Sequence, residues 1–209
     1  MAGEPDNDNR GAVVYTPDFG RQDEEFLSEL RAGKRSARAE LYRRHARAVE
    51  GILIRVLGWN ADIPDLVQEV FVRVLAGLGG FRGDYRSLKP WITRIAVHTA
   101  RGWIRKRRLL RWIHLERPED LPEAAAVSAA PEETETLRRA YRLIDSLPDK
   151  ERIAFTLRYV ADMELIEVAE ACEVSLAPIK RCLQRAPRRF TLLAARDPYL
   201  KDYLAGDEA

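Results

Sequence analysis

The chain has 209 residues, with 35 Lys and Arg against 33 Asp and Glu, so its formal net charge is only +2. That length holds one or two domains with real cores, and 46% hydrophobic and 33% charged residues fit a soluble, all-α protein and exclude wholesale disorder. No run of about 18 apolar residues occurs, so membrane insertion is not expected. The acidic N-terminus lacks the apolar core of a secretory signal, and Cys172 and Cys182 cannot make a disulfide framework; a cytoplasmic protein is expected.

The near-zero sum conceals segregated charge. Residues 1–25 carry seven acids against two bases, 82–111 ten bases against Asp84 alone, 112–136 seven acids against one base, and 175–190 five bases and no acid. Basic blocks set between acidic ones say more about partners than the total does. The second acidic block, rich in Pro and Ala and poor in bulky apolar residues, reads as a flexible linker. The expected organisation is a disordered acidic tail at 1–21, a helical domain at 22–112, the linker at 113–133, a smaller helical domain at 134–193 and a C-terminal tail at 194–209.

Segment 23–57 has helical periodicity through Phe26, Leu27, Leu30, Leu41, Tyr42, Val49, Leu53 and Val56. A second helix follows, capped by Asp62 with Pro64 in its first turn. Leu66, Val67, Val70, Phe71, Val74 and Leu75 fall on one face of it, leaving Asp65, Gln68, Glu69 and Arg73 outside. Gly77, Gly79 and Gly80 end it.

The stretch FRGDYRSLK then reads as a polar loop bearing Tyr85, and Pro90 as the first turn of the next helix. At about 100° per residue, Ile92, Ile95, Ala96, Thr99 and Trp103 gather on one side, and Arg94, His98, Arg101, Arg105 and Arg108 on the other. A cationic ridge over an apolar base suits a polyanion lying along the helix, and Tyr85 is placed to stack on a base.

Residues 137–193 read as short helices. Leu137, Tyr141, Ile144 and Leu147 make one stripe, Pro148 starts the next helix, and a short helix, a turn at Cys172–Val174 and a longer helix capped by Ser175 have helix-turn-helix spacing. On that last helix Ile179, Cys182, Leu183, Ala186 and Phe190 face inward. Ala177, Lys180, Arg181, Gln184, Arg185 and Arg188 face outward, and Arg and Gln can bond guanine and adenine in bidentate fashion.

Catalytic chemistry finds little footing. His45, His98 and His114 are scattered, the cysteines read as buried structural thiols, and no Cys/His pair has metal-site spacing. GLGGF follows a helix and lacks the Gly-Lys-Ser/Thr ending of a phosphate loop, and the carboxylates cluster in tail and linker. Neither an enzymatic activity nor a cofactor or metal is expected.

Three stretches together resemble the sigma factors of bacterial RNA polymerase, in their extracytoplasmic-function branch: DLVQEVFVRVL at 65–75, FRG…WITRIAVHTARGWIRKRR at 81–108, and LPDKERIAFTLRYV…EVAEACEVSLAPIKRCLQRA at 147–186. The resemblance implies two helical domains on a flexible linker. It also implies partners: core RNA polymerase through the β′ clamp and β subunits, promoter DNA, and an inhibitory anti-sigma factor. Asp65, Gln68, Glu69 and Arg73 would dock on the β′ clamp. Arg82, Asp84, Tyr85, Arg86, Ser87 and Lys89, with Arg94, His98, Arg101, Arg105 and Arg108, would bind and open the −10 element. In that branch a flipped non-template base is captured by the loop, for which Tyr85, Arg86 and Ser87 are candidates. Ser175, Ala177, Lys180, Arg181, Gln184, Arg185 and Arg188 would read the −35 element in the major groove.

The sequence departs from the family's pattern at Pro178, Pro187, Glu173 and Cys172, which stand where Thr, a basic residue, a turn glycine and a leucine are usual. Pro178 fits a first turn, whereas Pro187 is expected to kink or stop the helix near Ala186. A stand-alone helix-turn-helix regulator with an N-terminal sensor or dimerisation domain is the competing reading; the +9 block at 82–111 beside an aromatic loop has no use in a sensor.

Overall fold

A computed structural model describes residues 19–112 and 131–201, which contain helices and no strands. The expected linker from 113 to 130, most of the expected N-terminal tail, His114 and residues 202–209 lie outside the described residues. The helices are α1 (Phe19–Arg31), α2 (Arg35–Leu57), α3 (Ile63–Gly77), α4 (Tyr85–Trp112), α5 (Pro131–Asp145), α6 (Asp149–Phe155), α7 (Leu165–Ala171) and α8 (Leu176–Ala194). A 3-10 turn at Leu78–Gly80 follows α3, and a π-helical turn at Thr156–Val160 extends α6.

The first four helices form one bundle because their apolar stripes meet. Leu41, Leu53 and Val56 of α2, Val70 and Val74 of α3, and Ala96, Val97 and Ala100 of α4 are fully buried. Burying one Leu or Val completely contributes about 1.5–3 kcal/mol, so this stripe is one of the terms that offset chain entropy. Gly58 ends α2 at φ +74, a left-handed conformation that glycine adopts without strain, and its amide bonds the Ile54 carbonyl.

The stripe of α3 continues from Val74 to Leu78 rather than to Leu75. Leu75 lies at the stripe's edge and is 37% exposed, correcting the face assigned from periodicity. Asp62 does stand at the N-cap position, but it makes no side-chain cap; its carboxylate instead accepts from Trp103 Nε1 at 2.9 Å, stapling α3 to α4.

Helix α4 begins at Tyr85, five residues before Pro90, so most of the expected loop is its first turn. Asp84 explains this: Oδ1 accepts from the Ser87 amide at 2.9 Å and from Ser87 Oγ at 2.5 Å, an N-cap that outweighs one hydrogen bond missing at Pro90. Pro187 likewise sits inside α8, which runs on to Ala194 instead of stopping near Ala186. Ile179, Ala186 and Ala194 are buried along α8, on both sides of the proline, and this packing carries the helix across the missing amide.

In the second bundle α6 and α8 pack together, with Ile144, Leu147, Ile153, Leu157 and Ile179 buried. Leu137, expected in the α5 stripe, is 48% exposed, whereas Ile144 and Leu147 farther along that stripe are buried. The chain beyond α8 folds back on α5. Asp197 accepts from Arg139 at 3.2 Å and from the Tyr199 and Leu200 amides, Leu200 is buried, and the Leu200 amide bond, then the Arg139 guanidinium, hold the Asp197 carboxyl below its usual range.

The two bundles are in contact. α6 and α7 pack on α4, the π turn packs on α2, and one apolar core runs continuously from Phe26 through Ile104 to Ile153, Leu157, Val168 and Ile179. Arg152 of α6 is 3% exposed and donates from Nε to the Val56 carbonyl in the last turn of α2 at 3.0 Å, while its guanidinium pairs with Asp145. A side chain from one bundle thus caps a helix of the other.

Candidate nucleic-acid interface

The ridge on α4 forms as its periodicity requires. Arg94, His98, Arg105 and Arg108 are exposed, and Arg101 is half-buried. Beneath them Ile92, Ala96, Thr99 and Ile104 are buried, with Ile95 and Trp103 partly so. Three ridge cations are met by the second bundle: Arg94 Nε lies 3.4 Å from Glu173, Arg101 donates to the Cys172 carbonyl at 3.4 Å, and Arg108 faces Asp149 at 3.8 Å.

The segment leading into α4 is held from behind by α1 and α2. Arg31 donates to the Gly83 carbonyl at 2.9 Å, Arg82 to the Gly79 carbonyl at 3.1 Å, and Arg44 to the Tyr85 hydroxyl at 3.1 Å. The Tyr85 ring meets the edge of Phe26, whose face carries the Arg44 guanidinium at 4.6 Å. Tyr85 is half-buried in this cluster, whereas Arg82, Asp84, Arg86, Ser87 and Lys89 are exposed. Gly83 is required sterically: a Cβ there would stand 2.7 Å from both Phe81 Cζ and Ser87 Cβ. The Ser87 hydroxyl hydrogen bond holds the Asp84 carboxyl below its usual range.

Arg31 and Arg44 bind the backbone and side chains of the candidate site, and the sequence reading did not include them. Their partners lie 52 and 41 residues away, and no local pattern announces them. Next to Arg44, the half-buried His45 has a buried Nε2 with no hydrogen-bond partner among the described residues. Burial, then the charges of Arg44 and Lys89, push its pKa below the ordinary histidine value.

On α3, Asp65, Gln68, Glu69 and Arg73 are all exposed on one face. Arg73 pairs with Glu69 one turn back and donates to Thr99 Oγ1 of α4 at 3.1 Å, so it also braces the bundle. Val72, 66% exposed, and Leu75 extend this face with apolar surface.

The helix-turn-helix is α7, the turn at 172–174 and α8, with the spacing expected. Glu164 and Glu167 form a capping box at the start of α7. Ser175 occupies the N-cap of α8 without a side-chain cap bond. Ser175, Ala177, Lys180, Arg181, Gln184, Arg185 and Arg188 are all exposed, while Ile179 and Ala186 are buried and Cys182, Leu183 and Phe190 half-buried. Glu173 in the turn adopts φ +54. The Cys172 thiol is buried, and desolvation raises its pKa, as it does that of Cys182.

Among the described residues one carboxylate is buried: Glu151 is 7% exposed, with Oε2 at 3.2 Å from Arg189 Nε. Among the described residues no three His, Cys, Asp or Glu side chains are grouped to hold a metal, and no helix is long and apolar enough to cross a membrane.

Residues 41–109 match the family model of Sigma-70 region 2, and residues 137–189 that of Sigma-70, region 4. The ECF RNA polymerase sigma-E factor of Escherichia coli is 28% identical over 173 residues, covering 78% of this chain and 90% of the relative. That of Haemophilus influenzae is 28% identical over 178 residues with the same coverage. Among solved structures, CnrH in complex with the cytosolic domain of CnrY superposes with a TM-score of 0.58 at 21% identity, covering 84% of this chain and 98% of that one. The sigma factor RpoE in complex with the anti-sigma factor NepR from Bartonella quintana gives 0.58 at 20%, covering 76% and 97%. At these identities the structural likeness speaks for the fold.

Proposed function

The chain belongs to the sigma-70 family, in its extracytoplasmic-function branch, and from that premise we propose how its surfaces divide the work of starting transcription. It is a promoter-recognising sigma factor that joins core RNA polymerase, and each of its two matched segments carries one class of DNA contact. The stand-alone regulator is not favoured, because residues 41–109 match a sigma region rather than a sensor.

The observation that carries this reading is the pairing, on one chain, of the α4 ridge with a helix-turn-helix whose outward residues are all exposed. Arg181, Gln184 and Arg185 are positioned to meet base edges in the −35 major groove, and Lys180 and Arg188 to meet phosphates. Toward −10, the exposed Arg86 and Ser87 stand at the tip of α4, where an unstacked base would arrive. The half-buried Tyr85 supports that tip from beneath. Arg105 and its neighbours on the ridge neutralise strand phosphates. Asp65, Gln68 and Glu69 present a polar, acidic face to core polymerase.

The protein acts through binding alone, in the cytoplasm, without bond chemistry of its own. The two superposable structures are both complexes, CnrH with CnrY and the sigma factor RpoE with the anti-sigma factor NepR, which supports an anti-sigma partner here too. Run-off transcription with purified core polymerase tests the whole reading. Specific transcripts should appear only when the protein is added, and their absence from every genomic fragment would overturn it.

A further inference from the structure

The outward face of α8 changes character along its length. From Lys180 onward its exposed side chains, Lys180, Arg181, Gln184, Arg185 and Arg188, are all cations or hydrogen-bonding groups. The first turn is different. Leu176, Ala177 and Pro178 carry no polar side-chain atom, yet Leu176 and Ala177 are exposed, Leu176 at 38%, and Pro178 is half-buried. At about 100° per residue, Ala177 lies in the middle of the arc from Lys180 to Arg185, with Leu176 at one edge and Pro178 at the other. The core is met on the opposite side, through Ile179 and Ala186. The apolar first turn is therefore continuous with the DNA-facing surface.

Apolar side chains at the entering end of a recognition helix suit one base. In the major groove guanine, adenine and cytosine present only hydrogen-bonding groups, whereas thymine adds a C5 methyl. Leucine pressed on a polar edge would leave that edge's donors and acceptors without water, which costs affinity. Leucine set against a methyl buries apolar surface on both partners. Pro178 stands where the family usually carries Thr, so a hydroxyl that could bond a base edge is absent here as well. Ala177 and Arg181 stand about 6 Å apart along the helix axis, which spans about two base-pair steps.

We infer that Leu176 and Ala177 make α8 a reader of thymine: they pack on the C5 methyl groups of one or two thymines, about two base pairs from the base that Arg181 contacts. This rests on the reading of α8 as the −35 recognition helix. The first turn contributes specificity by apolar burial and the basic residues behind it by hydrogen bonds. The −35 element of this protein therefore contains a thymine beside the bases read by Arg181, Gln184 and Arg185.

The test uses holoenzyme, the full chain bound to core RNA polymerase, and a duplex DNA library of randomised sequence. Sequences enriched over core alone are resynthesised with each thymine replaced singly by uracil, which removes the C5 methyl and leaves every hydrogen-bonding group in place. Affinity is read by competition against a fluorescein-labelled selected duplex. At one or two thymines of the upstream element, uracil should weaken binding about threefold to fourfold, the effect of withdrawing one methyl group from an apolar contact. In Leu176→Ser, an exposed first-turn substitution that should leave the helical circular dichroism unaltered, the thymine duplex should bind more weakly and the uracil penalty should vanish. Arg181→Ala should weaken thymine and uracil duplexes alike and keep the penalty.

Equal binding of thymine and uracil duplexes throughout the upstream element would overturn the methyl contact while leaving α8 as a −35 reader. A uracil penalty of undiminished size in both Leu176→Ser and Ala177→Gly would assign the effect to DNA shape or to another side chain, and would overturn it too. If no upstream element is enriched, or if Arg181→Ala binds the selected duplexes as wild type does, the −35 reading itself fails and the thymine contact falls with it.

Discussion

Replacing Arg152 with methionine isolates the link between the bundles, because Met keeps the apolar stem and removes the guanidinium. The arginine side chain is 4% exposed, and its Asp145 partner 23%. Breaking a fully buried pair from one side costs about 3–5 kcal/mol, and Asp145, able to regain some water, should cost roughly half of that. The Val56 carbonyl loses its donor as well, and an unsatisfied buried acceptor costs about 1–3 kcal/mol. A loss of about 2.5–5.5 kcal/mol is expected, or a Tm lowered by about 5–22 °C for a chain of this size.

Guanidinium unfolding followed by two signals makes the assay specific. All four tryptophans, Trp59, Trp91, Trp103 and Trp112, precede residue 113, so fluorescence reports the first bundle while far-UV ellipticity reports both. Since Arg152 lies in the second bundle, a tryptophan transition that moves with the ellipticity shows the two unfolding together. A tryptophan transition that stays put, or a total loss below about 1 kcal/mol, would refute the claim that this side chain caps α2.

Four further outcomes are expected. The depressed pKa of His45 means that the unfolded chain binds more protons than the folded one, so its contribution to stability is full above about pH 6.5 and lost on acidification; His45→Leu should flatten the fall in Tm between neutral and mildly acidic buffer. Gly83→Ala forces a Cβ against Phe81 and Ser87 and should cost about 1–3 kcal/mol in thermal unfolding. Asp65→Lys with Glu69→Lys should reduce co-purification with core polymerase while leaving the helical circular dichroism unaltered. Arg181→Ala should lower transcription from a −35-dependent promoter by an amount equivalent to about 1–3 kcal/mol, with less effect on a promoter lacking that contact.

The helices and the helix-turn-helix were legible because their determinants are local. The stripe from Leu66 to Val74 and the outward set from Ala177 to Arg188 both follow from helical period alone. The proline effects were read too strongly. Pro90 and Pro187 each remove one amide, but a cap at Asp84 and burial at Ala186 and Ala194 outweigh that loss, and neither compensation is visible at the proline itself. The contact between bundles was not legible at all. Arg152 reaches a carbonyl 96 positions away and Arg101 one 71 positions away. The sequence reading grouped the carboxylates in tail and linker, away from the α4 ridge. The acids that meet it in the described structure are Glu173 and Asp149, isolated residues outside any acidic block.

The cap that Arg152 places on α2 bears on how such proteins can be recombined. A chimera that joined residues 19–112 to the corresponding half of a relative would inherit the open last turn of α2 and the apolar patch beside it. The incoming half would have to bring a guanidinium to the Val56 carbonyl and a carboxylate to hold it, besides its own recognition helix. Exchange of promoter specificity between relatives is therefore safest when the graft is confined to the outward residues of α8, leaving α6 with the bundle it evolved against.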